Sequence, residues 1–195
     1  MKTLYIFDMG GVVTYNTEVL PDIIRYLNIT EKEFLTYADK DLGKFIRGST
    51  NSNEFWIKFS KRYGQKVEEE LFAKFFNPIL NYKTVHLVKE LKESSRVVCG
   101  TNTIEPHYNY LIKNGDYDIF DEVYASNKMG VSKPDPDFYW YILREERIKL
   151  ENTVFVDDTE ENILSAQKIG INSILFTDSE SLKEQIETFN NSKGK

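Results

Sequence analysis

The sequence predicts an α/β protein built on a doubly wound parallel sheet. Short apolar runs recur along the chain, and helical patterns separate them. Such alternation is typical of βαβ units, whose right-handed crossovers place helices on both faces of a parallel sheet. One long segment, residues 17–82, breaks the alternation with helical patterns and no convincing strand. We therefore expect a helical cap inserted after the first strand.

The predicted strands are short and apolar, as strands buried on both faces of a parallel sheet are. The first covers residues 4–7 and is followed closely by Gly10 and Gly11. The later strands are expected at residues 97–100, 122–125, 153–156 and 173–176. The helices of this part are expected at residues 83–92, 105–113, 136–146, 160–169 and 181–189.

The interrupting segment carries its own helix signals. Thr30 and Glu33 have the spacing of a capping box, which opens a helix. Two aromatic-rich stripes at helical spacing follow: Phe55, Trp56 and Phe59, then Leu71, Phe72, Phe75 and Phe76. Such stripes are typical of helix faces that pack in a core. The predicted domains are an α/β core, residues 1–15 and 79–195, and a helical cap, residues 16–78, with hinges near Tyr15 and Pro78.

Composition restricts the partners of this chain of 195 residues. The formal net charge of -6 argues against a nucleic-acid or anionic-membrane surface, which needs clustered Lys and Arg. No apolar run approaches the roughly 20 residues that a membrane-spanning helix needs. The single cysteine, Cys99, cannot form an internal disulfide and fits a reducing compartment. We expect a cytoplasmic protein with no nucleic-acid or membrane partner, and the sequence leaves its oligomeric state open.

Polar side chains stand where the predicted strands end. In open parallel sheets, ligands bind at the carboxyl ends of the strands. Those ends carry Asp8, the pair Thr101 and Asn102, Lys133, and the pair Asp157 and Asp158. An acid, a hydroxyl, a base and paired acids at four such ends are expected to converge on one crevice.

The chemistry of these groups is mutually consistent. Asp8, Asp157 and Asp158 offer oxygen ligands for a hard divalent cation such as Mg²⁺. Asp8 can also act as a nucleophile, because carboxylates form aspartyl-phosphate intermediates. Lys133 and a metal would offset the negative charge that otherwise repels an attacking carboxylate. Thr101 can donate its hydroxyl to a phosphoryl oxygen.

Four segments carry a family resemblance: FDMGGVV at 7–13, TN at 101–102, GVSKPDP at 130–136 and FVDDT at 155–159. In this order they resemble the four motifs of the haloacid dehalogenase superfamily, and they extend over nearly the whole chain. The resemblance implies a Rossmann-like core and an all-helical cap between the first and second motifs. It is greatest for the branch that contains sugar-phosphate phosphatases and the phosphatase domain of epoxide hydrolases.

The resemblance implies a role for each matching residue. Asp8 looks like the nucleophile, Thr101 like the second-motif hydroxyl and Lys133 like the third-motif lysine. The implied Mg²⁺ ligands are Asp8, the Gly10 carbonyl and Asp158, with Asp157 in support. The substrate-binding set is then Met9, Gly10, Thr101, Asn102 and Lys133, to which Arg47 of the cap is added as a residue that could reach the substrate's far end.

One position departs from the family pattern. Phosphatases of this superfamily usually carry a second Asp two residues after the nucleophile, as general acid and then base. Here that position is Gly10, which keeps a backbone carbonyl for the metal but has no carboxyl group. The departure puts the protonation of the leaving group in doubt. His107 could replace the acid, although a histidine on the helix surface is the preferred interpretation.

The leading hypothesis is a magnesium-dependent phosphatase that acts on a small phosphorylated metabolite, a sugar phosphate being one candidate, through an aspartyl-phosphate intermediate. A 2-haloacid dehalogenase is the first alternative, because such enzymes also use an Asp nucleophile and lack the second Asp. It would leave the Asp157–Asp158 pair unexplained. A non-catalytic phosphate-binding scaffold is the second alternative, and Gly10 is its only support.

Overall fold

The computed structural model describes residues 2–193, and its centre is a five-stranded parallel sheet. In chain order the strands are β1 Leu4–Phe7, β2 Thr14–Tyr15, β3 Ile79–Leu80, β4 Arg96–Thr101, β5 Glu122–Ala125, β6 Thr153–Asp157 and β7 Asn172–Leu175. The sheet order is β5-β4-β1-β6-β7, and all its pairs are parallel. The predicted parallel α/β sheet is confirmed, with strand ends within one or two residues of the expected ones.

Helices cover both faces of this sheet. In chain order they are α1 Leu20–Leu27, α2 Glu31–Ala38, α3 Asp41–Ile46, α4 Ser52–Tyr63, α5 Leu71–Phe75, α6 Tyr82–Lys92, α7 Glu105–Asn114, α8 Ser126–Met129, α9 Pro136–Glu146, α10 Glu160–Lys168 and α11 Ser179–Lys193. A 3₁₀ turn, Leu150–Asn152, precedes β6. Within residues 2–193, no helix has the length and apolar character needed to cross a membrane.

The central strand β1 shows why both faces are covered. Its residues are fully buried, and successive side chains point to opposite faces. Tyr5 and Phe7 join the apolar cluster under α6, α7 and α11, which is continuous with the core of the preceding helices. Leu4 and Ile6 join the second cluster, under α9 and α10. The doubly wound arrangement therefore follows from an all-apolar strand that must be buried on both sides.

Residues 16–78 contain helices α1 to α5, with helix starts where the sequence signals them. The Thr30 hydroxyl accepts a hydrogen bond from the Glu33 N–H, and the Glu33 carboxylate accepts from the Thr30 N–H at 2.8 Å, so the predicted capping box is confirmed. The aromatic stripes pack on each other, with ring centroids 5.4 Å apart for Phe55 and Phe72. These rings form a core. The boundaries of the cap domain stay a prediction.

The prediction that residues 17–82 contain no strand is wrong. β3 pairs antiparallel with β2, with Tyr15 opposite Ile79, and we call this pair the two-stranded neck. The Asn81 amide nitrogen fixes the neck to the core, lying 2.6 Å from the Tyr15 hydroxyl and 2.8 Å from the Thr84 hydroxyl. Strands of two residues have no readable periodicity, so sequence patterns miss them.

Candidate active site

Asp8 leaves the central strand at the carboxyl edge of the sheet, where the chain turns sharply. The N–H groups of Val13 and Thr14 both donate to the Met9 carbonyl, at 2.9 and 2.8 Å, and the Gly11 N–H donates to the Thr14 carbonyl at 2.8 Å. This turn carries the backbone away, so that the Asp8 side chain stays at the end of β1. One Asp8 oxygen, Oδ1, accepts from the Met9 N–H at 2.7 Å.

Lys133 lies beneath Asp8 and joins it to the neighbouring strand. Its buried Nζ is 2.8 Å from Asp8 Oδ2 and 2.7 Å from Asp157 Oδ2. Asn102 holds the lysine backbone: its amide donates to the Lys133 carbonyl at 2.9 Å, and the Lys133 N–H donates to Asn102 Oδ1 at 2.8 Å. The loop after β4 therefore positions the lysine that contacts the carboxylate after β1.

The predicted acids come together at this point. Oxygens of Asp8, Asp157 and Asp158 all lie within 4.8 Å of one another. Asp157 is satisfied by protein groups, because Lys133, the Asn162 amide and the Thr159 N–H all donate to it. Asp158 is exposed, and the nearby Thr159 hydroxyl is 3.4 Å away. An all-oxygen set with one accessible carboxylate fits a hard cation such as Mg²⁺.

The pKa values of the clustered groups also favour a bound cation. Burial raises the pKa of Asp8 to about 7, with Lys133 opposing and Asp157 adding to the shift. Burial and Asp157 also raise the pKa of Asp158. Burial alone would lower the pKa of Lys133, but Asp8 and Asp157 raise it above its ordinary value. Negative charge is therefore in excess here, and a further positive charge would favour the ionised carboxylates.

The two glycines after Asp8 differ in whether a side chain could be accommodated at their positions. Gly11 has a φ of +74°, and a Cβ placed there would lie 1.9 Å from Asp158 Oδ2, so only glycine leaves room for that carboxylate. Gly10 has no such backbone constraint, and a Cβ there would lie 3.3 Å from the Thr17 hydroxyl. The Thr17 side chain thus lies beside the position whose carboxyl group is missing.

A cavity of about 440 Å³ opens over this cluster. Of the predicted residues, it is lined by Asp8, Met9, Gly10, Thr101, Asn102 and Asp158. Lys133 and Asp157 lie beneath, fully or almost fully buried. Tyr15 of the two-stranded neck and Asn16, which follows it, also line the cavity. Phe76, predicted only as a core residue, and Leu111 and Tyr117, which no motif marks, form part of its wall.

Arg47 is exposed and does not line the cavity. The loop that carries it is held against the core, since the Ser126 hydroxyl donates to the Ile46 carbonyl at 2.7 Å. Gly48 fits tightly there: a Cβ at this position would lie 1.9 Å from the Asn127 carbonyl oxygen. The predicted contact of Arg47 with substrate stays a prediction.

His107 is not the surface histidine that the sequence suggested. Its ring lines the cavity and stacks on Phe76, with centroids 3.8 Å apart and an interplanar angle of 8°. Its Nε2 lies 3.2 Å from the Phe72 carbonyl oxygen. Burial lowers the pKa of His107 to about 4, so the ring is neutral near pH 7. A neutral imidazole there is a poor general acid.

Comparisons with known proteins agree with this geometry. A family model described as haloacid dehalogenase-like hydrolase matches residues 5–176. A sesquiterpene phosphatase of Aspergillus oryzae is 29% identical over 183 residues, 89% of each chain. A drimenol cyclase of Aspergillus calidoustus is 28% identical over 152 residues, 74% of this chain but 29% of that longer protein. An enzyme of Bacteroides thetaiotaomicron, solved with magnesium and inorganic phosphate, superposes with a TM-score of 0.73 at 24% identity, covering 91% of this chain and 95% of that one.

Proposed function

The chain belongs to the haloacid dehalogenase-like hydrolases, and on that premise we propose that it is a magnesium-dependent phosphatase of a small phosphorylated metabolite. One observation carries the proposal: the Asp8 carboxylate, at the end of the central strand, lies 2.8 Å from Lys133 Nζ within a cluster of acids. The similarity to a sesquiterpene phosphatase supports a phosphate ester as substrate, and the solved neighbour with magnesium and phosphate supports the cofactor.

We propose the following roles for the residues of the site. An Asp8 oxygen attacks phosphorus, the bond from phosphorus to the ester oxygen breaks, and the leaving alcohol takes up a proton from water. Water then attacks phosphorus of the aspartyl phosphate, releasing phosphate and restoring the carboxylate. Lys133 offsets the charge of Asp8 as it approaches the anionic phosphoryl group, and the Thr101 hydroxyl and the backbone at Met9 bind phosphoryl oxygens.

Mg²⁺ would be held by Asp8, the Gly10 carbonyl and Asp158, with Asp157 in support. When bound, it supplies positive charge next to the phosphoryl oxygens. The donor set fits it because all the side-chain ligands are carboxylates and Asp158 is accessible. We also propose a cytoplasmic location, which rests on the buried free thiol of Cys99.

The decisive experiment is a screen for phosphate release over phosphorylated metabolites, with and without Mg²⁺. We expect release that requires Mg²⁺ and stops with a chelator. Halide release from 2-haloacids that survives the chelator would instead identify a dehalogenase. Tight binding of a phosphate analogue with no turnover of any substrate would identify a non-catalytic scaffold.

The two paired acids should differ in their effect on Mg²⁺ binding. We expect Asp158→Ala to weaken Mg²⁺ affinity more than Asp157→Ala, because Asp158 is exposed at the cavity whereas Asp157 is occupied by Lys133, Asn162 and Thr159. Titration calorimetry with MgCl₂ measures both. Asp157→Asn and Asp158→Asn are the isosteric controls, and the reverse order of affinities would overturn the assignment.

The missing carboxyl at Gly10 should make turnover depend on the leaving group. General acid catalysis contributes typically about 10²–10⁴-fold, and a good leaving group needs it least. We expect anomeric sugar, acyl and aryl phosphates to react faster than simple primary alkyl phosphates. Single-turnover kinetics over esters of graded leaving-group acidity measure this. Rates of Asp8 phosphorylation that stay constant along the series would show that another residue supplies the proton.

A further inference from the structure

We propose that the organic part of the substrate is uncharged and apolar, and that it packs on an aromatic wall of the cavity. The aromatic wall consists of Phe76, His107, Leu111 and Tyr117. The proposal rests on the proposed phosphatase function and names the substrate class of the same site: phosphate monoesters of branched-alkyl, aryl-alkyl or similar alcohols, as opposed to those of polyols.

The side chains of the aromatic wall are held in place by their neighbours. His107 on α7 and Phe76, next to α5, stack almost parallel, and the rings of Tyr110 and Phe76 meet edge to face with centroids 5.3 Å apart. The contact between His107 Nε2 and the Phe72 carbonyl holds the imidazole in this orientation. Leu111 and Tyr117 are buried beside it. Side chains fixed in this way lose little further freedom when a ligand packs on the part of their surface that faces the cavity.

The charges around the cavity disfavour a second anionic group on the substrate. Among residues 2–193, no lysine or arginine lines the cavity. Lys133 lies beneath Asp8 and is occupied by two carboxylates. His107 is neutral near pH 7, and Glu18 at the rim is an acid. A carboxylate or second phosphate on the organic part would therefore be bound without a counter-charge, at a desolvation cost.

Three of the polar side chains that line the cavity are already bonded to protein. The Asn16 amide donates to the Asn77 carbonyl at 2.9 Å, and the Tyr15 hydroxyl lies 2.6 Å from the Asn81 amide nitrogen. The Thr14 hydroxyl donates to the Met9 carbonyl at 3.1 Å. Tyr117 offers one buried hydroxyl with no protein partner in the described chain. A polyol would have to compete with the hydrogen bonds of Tyr15, Asn16 and Thr14, whereas an apolar group would not.

The test compares esters whose leaving groups are all primary alcohols, so that the missing acid at Gly10 affects them alike. The apolar pair is 3-methylbutyl phosphate and 2-phenylethyl phosphate, and the polar pair is glycerol 3-phosphate and ribitol 5-phosphate. Each is assayed as a competitive inhibitor of 4-nitrophenyl phosphate hydrolysis with Mg²⁺. We expect inhibition constants about tenfold lower for the apolar pair, the discrimination that a small apolar group contributes in a hydrophobic pocket.

Equal constants, or tighter binding of the polar pair, overturn the proposal. A lack of any phosphate release from 4-nitrophenyl phosphate contradicts the phosphatase function instead, and calorimetric binding of the same esters then decides the substrate class. Phe76→Ala should raise the inhibition constants of the apolar pair about tenfold and change those of the polar pair less than about twofold. Phe76→Leu should keep the preference for 3-methylbutyl phosphate. The control Tyr82→Ala, at an exposed aromatic outside the cavity, should change neither pair.

Discussion

Asp8→Asn should abolish phosphate release, lowering turnover by about 10⁴-fold or more. An amide of the same shape cannot attack phosphorus, and no other described carboxylate has the position of Asp8 at the end of the central strand, 2.8 Å from Lys133 Nζ. Lys133 keeps its second partner, Asp157, so the buried ammonium stays paired and the fold should survive. Steady-state kinetics and circular dichroism on the same preparations measure both effects.

The pH dependence of stability offers an independent control. The pKa of Asp8 is raised to about 7, so in metal-free buffer its contribution to stability is complete below the ordinary carboxyl range and is lost as the pH rises through about 7. The variant lacks this titration. Its melting temperature relative to the wild type should therefore increase between pH 4 and pH 8. Asp137→Asn, at an exposed aspartate outside the cavity, should change neither turnover nor this profile. Wild-type-like turnover by Asp8→Asn would contradict the mechanism.

Gly11→Ala should remove most Mg²⁺ binding although Gly11 contributes no side chain. The new Cβ would lie 1.9 Å from Asp158 Oδ2 and 2.4 Å from its Cγ, so the carboxylate has to leave its place. Displacing an oriented metal ligand costs about 10²-fold in metal affinity or activity. We expect a loss of that size in Mg²⁺ affinity by calorimetry, with a corresponding loss of turnover at fixed Mg²⁺.

The effect of backbone strain at Gly11 has to be distinguished from the effect of displacing the Asp158 carboxylate. Gly11 has a φ of +74°, and any Cβ in this region costs about 1–2 kcal/mol. Gly64 supplies the matched control, since its φ is +83° and a Cβ there meets nothing within 4 Å. Gly64→Ala should lower the free energy of unfolding by a similar amount while leaving Mg²⁺ affinity intact. Equal Mg²⁺ affinities in the two variants would show that Gly11 serves only the turn.

The convergence of the cluster could be predicted because it depends on local features. Each charged residue directly follows an apolar strand or lies in the loop after one, and parallel strands end at one edge. The resemblance then separated the role of Asp158 from that of Asp157. The hydrogen-bond partners within the cluster could not be predicted from the sequence. Asn102, for example, positions the Lys133 backbone through two hydrogen bonds that no spacing rule predicts.

The cavity wall could not be predicted because it is made by residues distant in sequence. His107 has the spacing of a surface residue on α7, and only the approach of Phe76, at the end of the cap, buries it. The placement of Arg47 also depends on distant contacts, since its loop is held against the core at Ile46 and Gly48 and Arg47 lies outside the cavity lining. Burial at such contacts depends on how the helices pack together, whereas sequence periodicity indicates only which face of a single helix is apolar.

The two-stranded neck brings the two ends of the helical segment together. Tyr15 and Ile79 are paired, so the chain leaves and re-enters the core at adjacent points, while Ile46 and Phe76 make further contacts with the core. A sequence of almost any length can be exchanged at such a site without altering the path of the core, because the ends of the exchanged piece already meet and longer loops cost little extra entropy. Recombination at these two positions would combine an unchanged active site with a different helical segment. The range of substrates could then change while the reaction stays the same.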